Sequence, residues 1–236
     1  MFSVLLSLSV ISISYAQLNG TYTIDSSKVR EGTNFQSFTE FADTLNTAGV
    51  SGPVTANVVA HTSPYRESIV FNDIVGASPT SAVTINGNGV KIYSDSLAPI
   101  RLDGTDHIII DSLVLENAGT ADYTTYCFIL GNDADSNVIR NSELIISRYK
   151  NTTTYGSGYI SASSMNNVIG YPDYTFYTNG NFNTIENNLM WNGGSGDSIG
   201  PYVGLLFEGY IWCPLDCFYS TINNMLITKN KIKNTY

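Results

Sequence analysis

Asp103, Asp106 and Asp111, followed by Asp133 and Asp135, bring carboxylates together at a spacing that suits neighbouring strands. Adjacent strands lie about 5 Å apart, so two such carboxylates can share a proton, clamp a calcium ion or flank a glycosidic oxygen. Arg140 and Arg148 follow, able to serve as a base or a substrate clamp. The same residues also have a plainer reading. Asp103-Gly104 and Asn132-Asp133 are turn dipeptides, where Asp is favoured for local hydrogen bonding alone. His107 sits in an Ile run and reads as a packed imidazole. The candidate catalytic residues are therefore Asp103, Asp106, Asp133, Asp135 and Arg140; no cofactor is expected, calcium being the one ion such carboxylates could accept. With His61 and His107 the only histidines, no four-ligand transition-metal spacing exists.

A second kind of chemistry rests on aromatics. Tyr155, Tyr159, Tyr171, Tyr174 and Tyr177 fall in a segment rich in Gly, Asn and Thr that is expected to bulge from the core. Flat rings beside amides and hydroxyls suit sugar stacking, which makes a polysaccharide the candidate partner. Tyrosines packed over neighbouring backbone are the alternative. The Cys213-Pro214-Leu215-Asp216-Cys217 pair can close a local disulfide, leaving Cys127 odd; free buried thiols remain the other reading.

These residues must be held by repeated elements. Asn137-Val138-Ile139-Arg140-Asn141 returns as Asn183-Thr184-Ile185-Glu186-Asn187 and as Ser220-Thr221-Ile222-Asn223-Asn224. Each copy is followed by a second apolar stretch: Leu144-Ile145-Ile146, Leu189-Met190-Trp191 and Met225-Leu226-Ile227. A looser copy runs His107-Ile108-Ile109-Ile110-Asp111. Units of this size cannot bury their apolar side alone and must stack, which points to a solenoid of strands. The short strand, bent at Asn into another, is expected to form an amide ladder from Asp111, Asn141, Asn187 and Asn224.

Earlier in the chain, Phe35, Phe38, Phe41, Ala42 and Leu45 recur at helical spacing, with Asn34 as N-cap and Gly49 as stop, predicting a helix over about 34–48. Its place before the strands suits a cover for the open end of the stack. Strands are expected at 54–59, 68–71 and 83–85.

Asn34-Phe35 with the Phe-rich helix, Ala48-Gly49-Val50-Ser51-Gly52-Pro53-Val54-Thr55, Tyr65-Arg66-Glu67, Ile74-Val75-Gly76-Ala77-Ser78 and Val83-Thr84-Ile85 form a recognisable series. It resembles the start of secreted bacterial proteins of the pectate-lyase-like superfamily, and Leu102 to Asp111 resembles the next coil. The resemblance implies an all-β fold: a right-handed, single-stranded parallel β-helix with an N-terminal capping α-helix. It covers 18–146 well and continues loosely to the end. Pectinolytic members use clustered Asp for hydrolysis, or calcium-binding Asp with an Arg or Lys base for elimination. Many other members are exported or surface proteins. The expected role is a surface scaffold that adheres to polysaccharide without catalysis, the alternative being a polysaccharide lyase or glycoside hydrolase.

Net charge of -9 and a pI near 4.5 argue against nucleic acid or an anionic membrane as partner. Met1 to Ala16 is uncharged, apolar and Ser-rich, ending in Ser14-Tyr15-Ala16 before Gln17. It reads as a cleaved secretory signal, too short for a span of about 20 residues. A single β-helix domain over 17–236 and a secreted or surface location follow. Asn230-Lys231-Ile232-Lys233-Asn234 reads as the opening of one more coil, so the chain is expected to be a fragment or to have its last coil covered by an oligomeric partner. Mass spectrometry of exported protein is expected to find Gln17, free or cyclised, as the first residue; a mature chain keeping Met1 to Ala16 would refute the signal.

Overall fold

The structure is a computed structural model and describes residues 16–60, 64–119, 125–146, 158–162, 181–192, 205–207 and 224–233. The described residues form three parallel sheets and one helix. The first sheet contains β1 (Leu18–Ile24), β2 (Asn34–Phe35), β3 (Val50–Val58), β6 (Val83–Asn86), β9 (Ile108–Asp111), β12 (Val138–Arg140), β15 (Thr184–Glu186) and β18 (Leu226–Thr228). The second contains β4 (Tyr65–Arg66), β7 (Lys91–Ser94), β10 (Val114–Asn117), β13 (Glu143–Ile146), β16 (Leu189–Asn192) and β19 (Lys231–Lys233). The third contains β5 (Ile69–Phe71), β8 (Ile100–Asp103), β11 (Tyr126–Gly131), β14 (Gly158–Ala162) and β17 (Leu205–Phe207). From β3 onward the chain visits the three sheets in rotation, so each strand pairs with the one three places on.

Register follows from alternation. Ala56, Ile85, Ile110, Ile139 and Ile185 stand in one column of the first sheet, all buried. Ile92, Leu115, Leu144 and Met190 do the same in the second, and Ile69, Ile100, Phe128 and Ile160 in the third. A slip by one residue would turn each column to solvent, so apolar burial locks the layers together.

Where the chain bends from the third sheet into the first, and again from the first into the second, regular pairing stops and buried backbone groups need other partners. Asn183 Oδ1 accepts the Asn137 N–H at 2.8 Å while its Nδ2 donates to Ala134 O at 2.8 Å. Asn137 treats the preceding layer alike, accepting from Ile108 N–H and donating to Thr105 O. At the bend from the first sheet into the second, Ser142 N–H donates to Asn188 Oδ1 and Asn188 N–H to Asn230 Oδ1, both at 2.9 Å. The buried amide columns are thus Asn137 with Asn183, and Asn188 with Asn230.

This corrects the expected ladder. Asn187 Nδ2 donates to Asn141 Oδ1 and Asn141 Nδ2 to Asp111 Oδ1, but along an exposed edge. Asn224, also exposed, lies in register with Phe182 rather than Asn187. Asn141, Asn187 and Asn224 hold φ of 53°, 52° and 55°. That left-handed kink rotates their side chains outward, away from the face their spacing from Ile139 and Ile185 suggests.

The helix α1 spans Phe38–Ala48, shorter than expected. Its N-cap is Ser37, whose Oγ accepts the Glu40 N–H at 3.0 Å. Asn34 is instead in β2, bonded to Thr23 Oγ1, Val29 O and Asp25 O, so its amide holds a turn and caps nothing. Glu67 reaches from beyond β4 to accept the Phe38 and Thr39 N–H groups, the latter at 2.7 Å. Phe38, Phe41, Ala42 and Leu45 are buried; Phe38 meets Tyr65, and Phe41 meets Phe35, edge to face. Asn46 ties α1 to the end strand of the third sheet, donating to Val70 O and accepting from Asn72 N–H. Gly49 stops the helix at φ 70°, and a Cβ there would sit 2.3 Å from Val75 O. Gly76, at φ 87°, mirrors it against Val50 O, so both must be glycine.

Asn183→Leu is expected to cost about 2–4 kcal/mol, since it strands a buried N–H and a buried C=O. Asn187→Leu at its exposed edge is expected to cost only about 1–2 kcal/mol, mostly from the left-handed backbone. Urea melts of the two variants check the order.

Candidate functional site

The candidate acids sit on two stacked turns, 104–107 after β8 and 132–137 after β11. Gly104, His107, Asn132, Asp133 and Ser136 all have positive φ, which is why Gly, Asn and Asp gather here. Each carboxylate then staples its turn to the next. Asp103 accepts from the Asn132 amide, Asp106 Oδ1 accepts the Asp135 N–H at 2.7 Å, and Asp135 Oδ1 accepts the Asn181 N–H. Thr105, fully buried beneath them, donates to Phe71 O and Asn72 O.

Asp106, Asp133 and Asp135 therefore lie together in one acidic patch. Partial burial raises the Asp106 carboxyl above the usual carboxylate range; the Asp135 N–H opposes this and repulsion from Asp135 and Asp73 adds to it. Asp133 is raised by burial and by Asp135. Such acids hold protons more readily than free aspartate, as a general acid must.

Arg140 does not join them. It lies at the last position of β12, on the far side of that strand from the turn that holds Asp135. There its Nε donates to Asp111 Oδ2 at 2.7 Å. Burial works to raise the Asp111 carboxyl, but bonds from Asn141, Ser112 and Arg140 outweigh it and hold the group below the usual range. The expected acids and their expected base are thus separate structures. Among the described residues, no group of three or more His, Cys, Asp or Glu side chains is arranged to hold a metal ion.

Of the tyrosines singled out, Tyr155, Tyr171, Tyr174 and Tyr177 lie outside the described residues, as do Cys213, Cys217 and Met1 to Tyr15. Tyr159 is a correction. It lies in β14, fully buried in the main core together with its neighbour Ile160. Burial and nearby Cys127 push its phenol up, and its hydroxyl has no hydrogen-bond partner among the described residues. Cys127 is itself buried and free, its thiol pushed up by burial, which leaves little reactive thiolate. The outward aromatics among the described residues are elsewhere. Tyr93 lies beneath the Arg66 guanidinium at 4.5 Å, and Trp191 donates its indole N–H to Glu143, both on the outer face of the second sheet.

Sequence reasoning missed Asn137, Asn183, Asn188 and Asn230. A signal existed: Asn137 and Asn183 stand two residues before Ile139 and Ile185, the parity of an inward position. No helix among the described residues is long and apolar enough to cross a membrane. No family model, curated protein or solved structure matches this chain.

Opposite pH effects are expected at the two acid groups. The lowered Asp111 gives stability that is present above the carboxylate range and lost as pH falls through its folded value. Asp111→Asn should therefore lower the melting temperature at pH 7, with the gap closing as pH falls through the folded value of Asp111. Asp133 is raised, so its ionisation opposes folding as pH rises. Asp133→Asn should raise the melting temperature at pH 7, and that gain should also vanish in acid. Melting curves across pH check both signs.

Proposed function

We propose that this chain is a right-handed parallel β-helix of the pectate-lyase-like kind, exported and used as a surface scaffold that adheres weakly to extended glycans without cleaving them. Three parallel sheets visited in rotation, with inward columns running layer to layer, support the solenoid. The observation that carries the non-catalytic role is the use of the candidate groups. Asp103, Asp106 and Asp135 accept hydrogen bonds from the next layer, and Arg140 is paired with Asp111. Groups committed to neighbours in this way are poorly placed to exchange protons with a substrate. The net charge of -9 favours a neutral or cationic partner over nucleic acid. Outward Tyr93 and Trp191 offer flat rings on which sugars can stack.

The alternative, a polysaccharide lyase or glycoside hydrolase, draws on one observation: Asp106 and Asp133 hold their protons above the usual carboxylate range beside Asp135.

Incubation with acidic and neutral polysaccharides, with and without calcium, distinguishes the two. The scaffold reading expects retention on a glycan column, no new reducing ends and no unsaturated product absorbing in the ultraviolet. Turnover that disappears in Asp106→Asn or Asp133→Asn would replace it with the enzyme. Absence of both retention and turnover leaves a structural role only.

A further inference from the structure

On the outer face of the second sheet, one column sets an aromatic ring at each end of a carboxylate and an aliphatic side chain. Tyr93, Glu116, Ile145 and Trp191 are register partners on β7, β10, β13 and β16. Their strand neighbours Ile92, Leu115, Leu144 and Met190 are fully buried, so alternation turns the column outward. Three strand spacings separate Tyr93 from Trp191, roughly 14 Å at about 4.8 Å each. The column runs across the strands, along the direction in which the layers stack.

Both rings are held in place before any ligand arrives. Trp191 donates its indole N–H to Glu143, which stands one layer back and two residues before Ile145 on β13. To reach it the indole leans across β13 over Ile145, whose side chain is 5% exposed. A ring laid over the sheet in this way offers a face rather than an edge. The Arg66 guanidinium stacks on Tyr93 at 4.5 Å from the neighbouring strand β4 and steadies that ring. Between the two rings, Lys91 Nζ pairs with Glu116 Oε2 at 2.8 Å. Anchors fixed in this way lose little freedom on binding.

We infer that this face holds a linear, uncharged glycan of at least four consecutive sugars, lying along the stacking direction with one sugar over each layer from β7 to β16. The inference rests on the adhesive reading above and adds to it the place, direction and charge of the glycan. A pyranose in an extended β-linked chain advances by about one strand spacing, so rings three layers apart meet the first and fourth sugars. Glu116 and Glu143 stand between the rings, where their oxygens accept sugar hydroxyls. The same two acids repel the carboxylates of a uronate chain, and Lys91, the cation beside them, is already paired with Glu116.

The probes are β-linked xylo-oligosaccharides of two to six sugars, titrated calorimetrically onto the full chain beside oligogalacturonides of matched length. Affinity is expected to rise by about tenfold between the trimer and the tetramer, where the second ring is first reached. The galacturonides are expected to bind about tenfold more weakly than the xylo-oligosaccharides. Tyr93→Ala and Trp191→Ala should each lower tetramer affinity by about fivefold or more and flatten the dependence on length, while Tyr93→Phe keeps both. Both side chains point outward, so far-ultraviolet circular dichroism should be unchanged. Affinity independent of length, or tighter binding of the galacturonides, would overturn the inference. Retention of the Tyr93→Ala, Trp191→Ala double variant on a xylan column as strongly as the unsubstituted chain would overturn it while leaving adhesion itself intact. An unsubstituted chain retained on no polysaccharide, neutral or acidic, would overturn the adhesive reading along with it.

Discussion

Everything in this fold rests on how the bends are satisfied. Within a strand, backbone groups find partners in the neighbouring layers automatically. At a bend the ladder breaks while the chain stays buried, and each unpaired N–H or C=O there would cost about 1–3 kcal/mol. The amide of Asn offers an acceptor and two donors on a short arm. Asn183 and Asn188 use both ends, taking the N–H of one residue in the layer before and giving to a carbonyl three residues earlier. The same contact that rescues the bend also sets the spacing and register of the next layer.

Local turn geometry explains why the acids gather without forming a reaction centre. Left-handed residues flank each turn, and Asp and Asn tolerate that conformation well. Once there, a carboxylate one layer behind an N–H is a natural acceptor, as with Asp106 and Asp135. Their crowding raises Asp106 and Asp133 through burial and mutual repulsion. Arg140, whose charge would relieve that crowding, is held at the opposite end of its strand by Asp111.

The first layer is closed by elements of its own. At the start, the β2 edge, α1 and the crossing glycines Gly49 and Gly76 close the stack, with Glu67 supplying the carboxylate that the helix N-terminus attracts.

The repeat, the strand alternation at Val83 to Ile85 and the amphipathic stripe of Phe38, Phe41, Ala42 and Leu45 were legible in the sequence alone, because burial of apolar side chains has a fixed period in each element. The stop at Gly49 was legible for a similar reason, since its backbone demand is local. Which asparagine of each phrase faces inward was not. Asn141 and Asn187 share the parity of Ile139 and Ile185, and only the left-handed kink, set by how the bend meets its neighbours, turned them out and brought Asn188 in. Tertiary contact likewise decided that Asn34 holds a turn while Ser37 caps the helix, that Tyr159 lies in the core, and that Arg140 pairs with Asp111. The burial of Tyr159 and the Arg140–Asp111 pair depend on partners a full layer away in sequence, and no local pattern encodes which layer that partner will occupy.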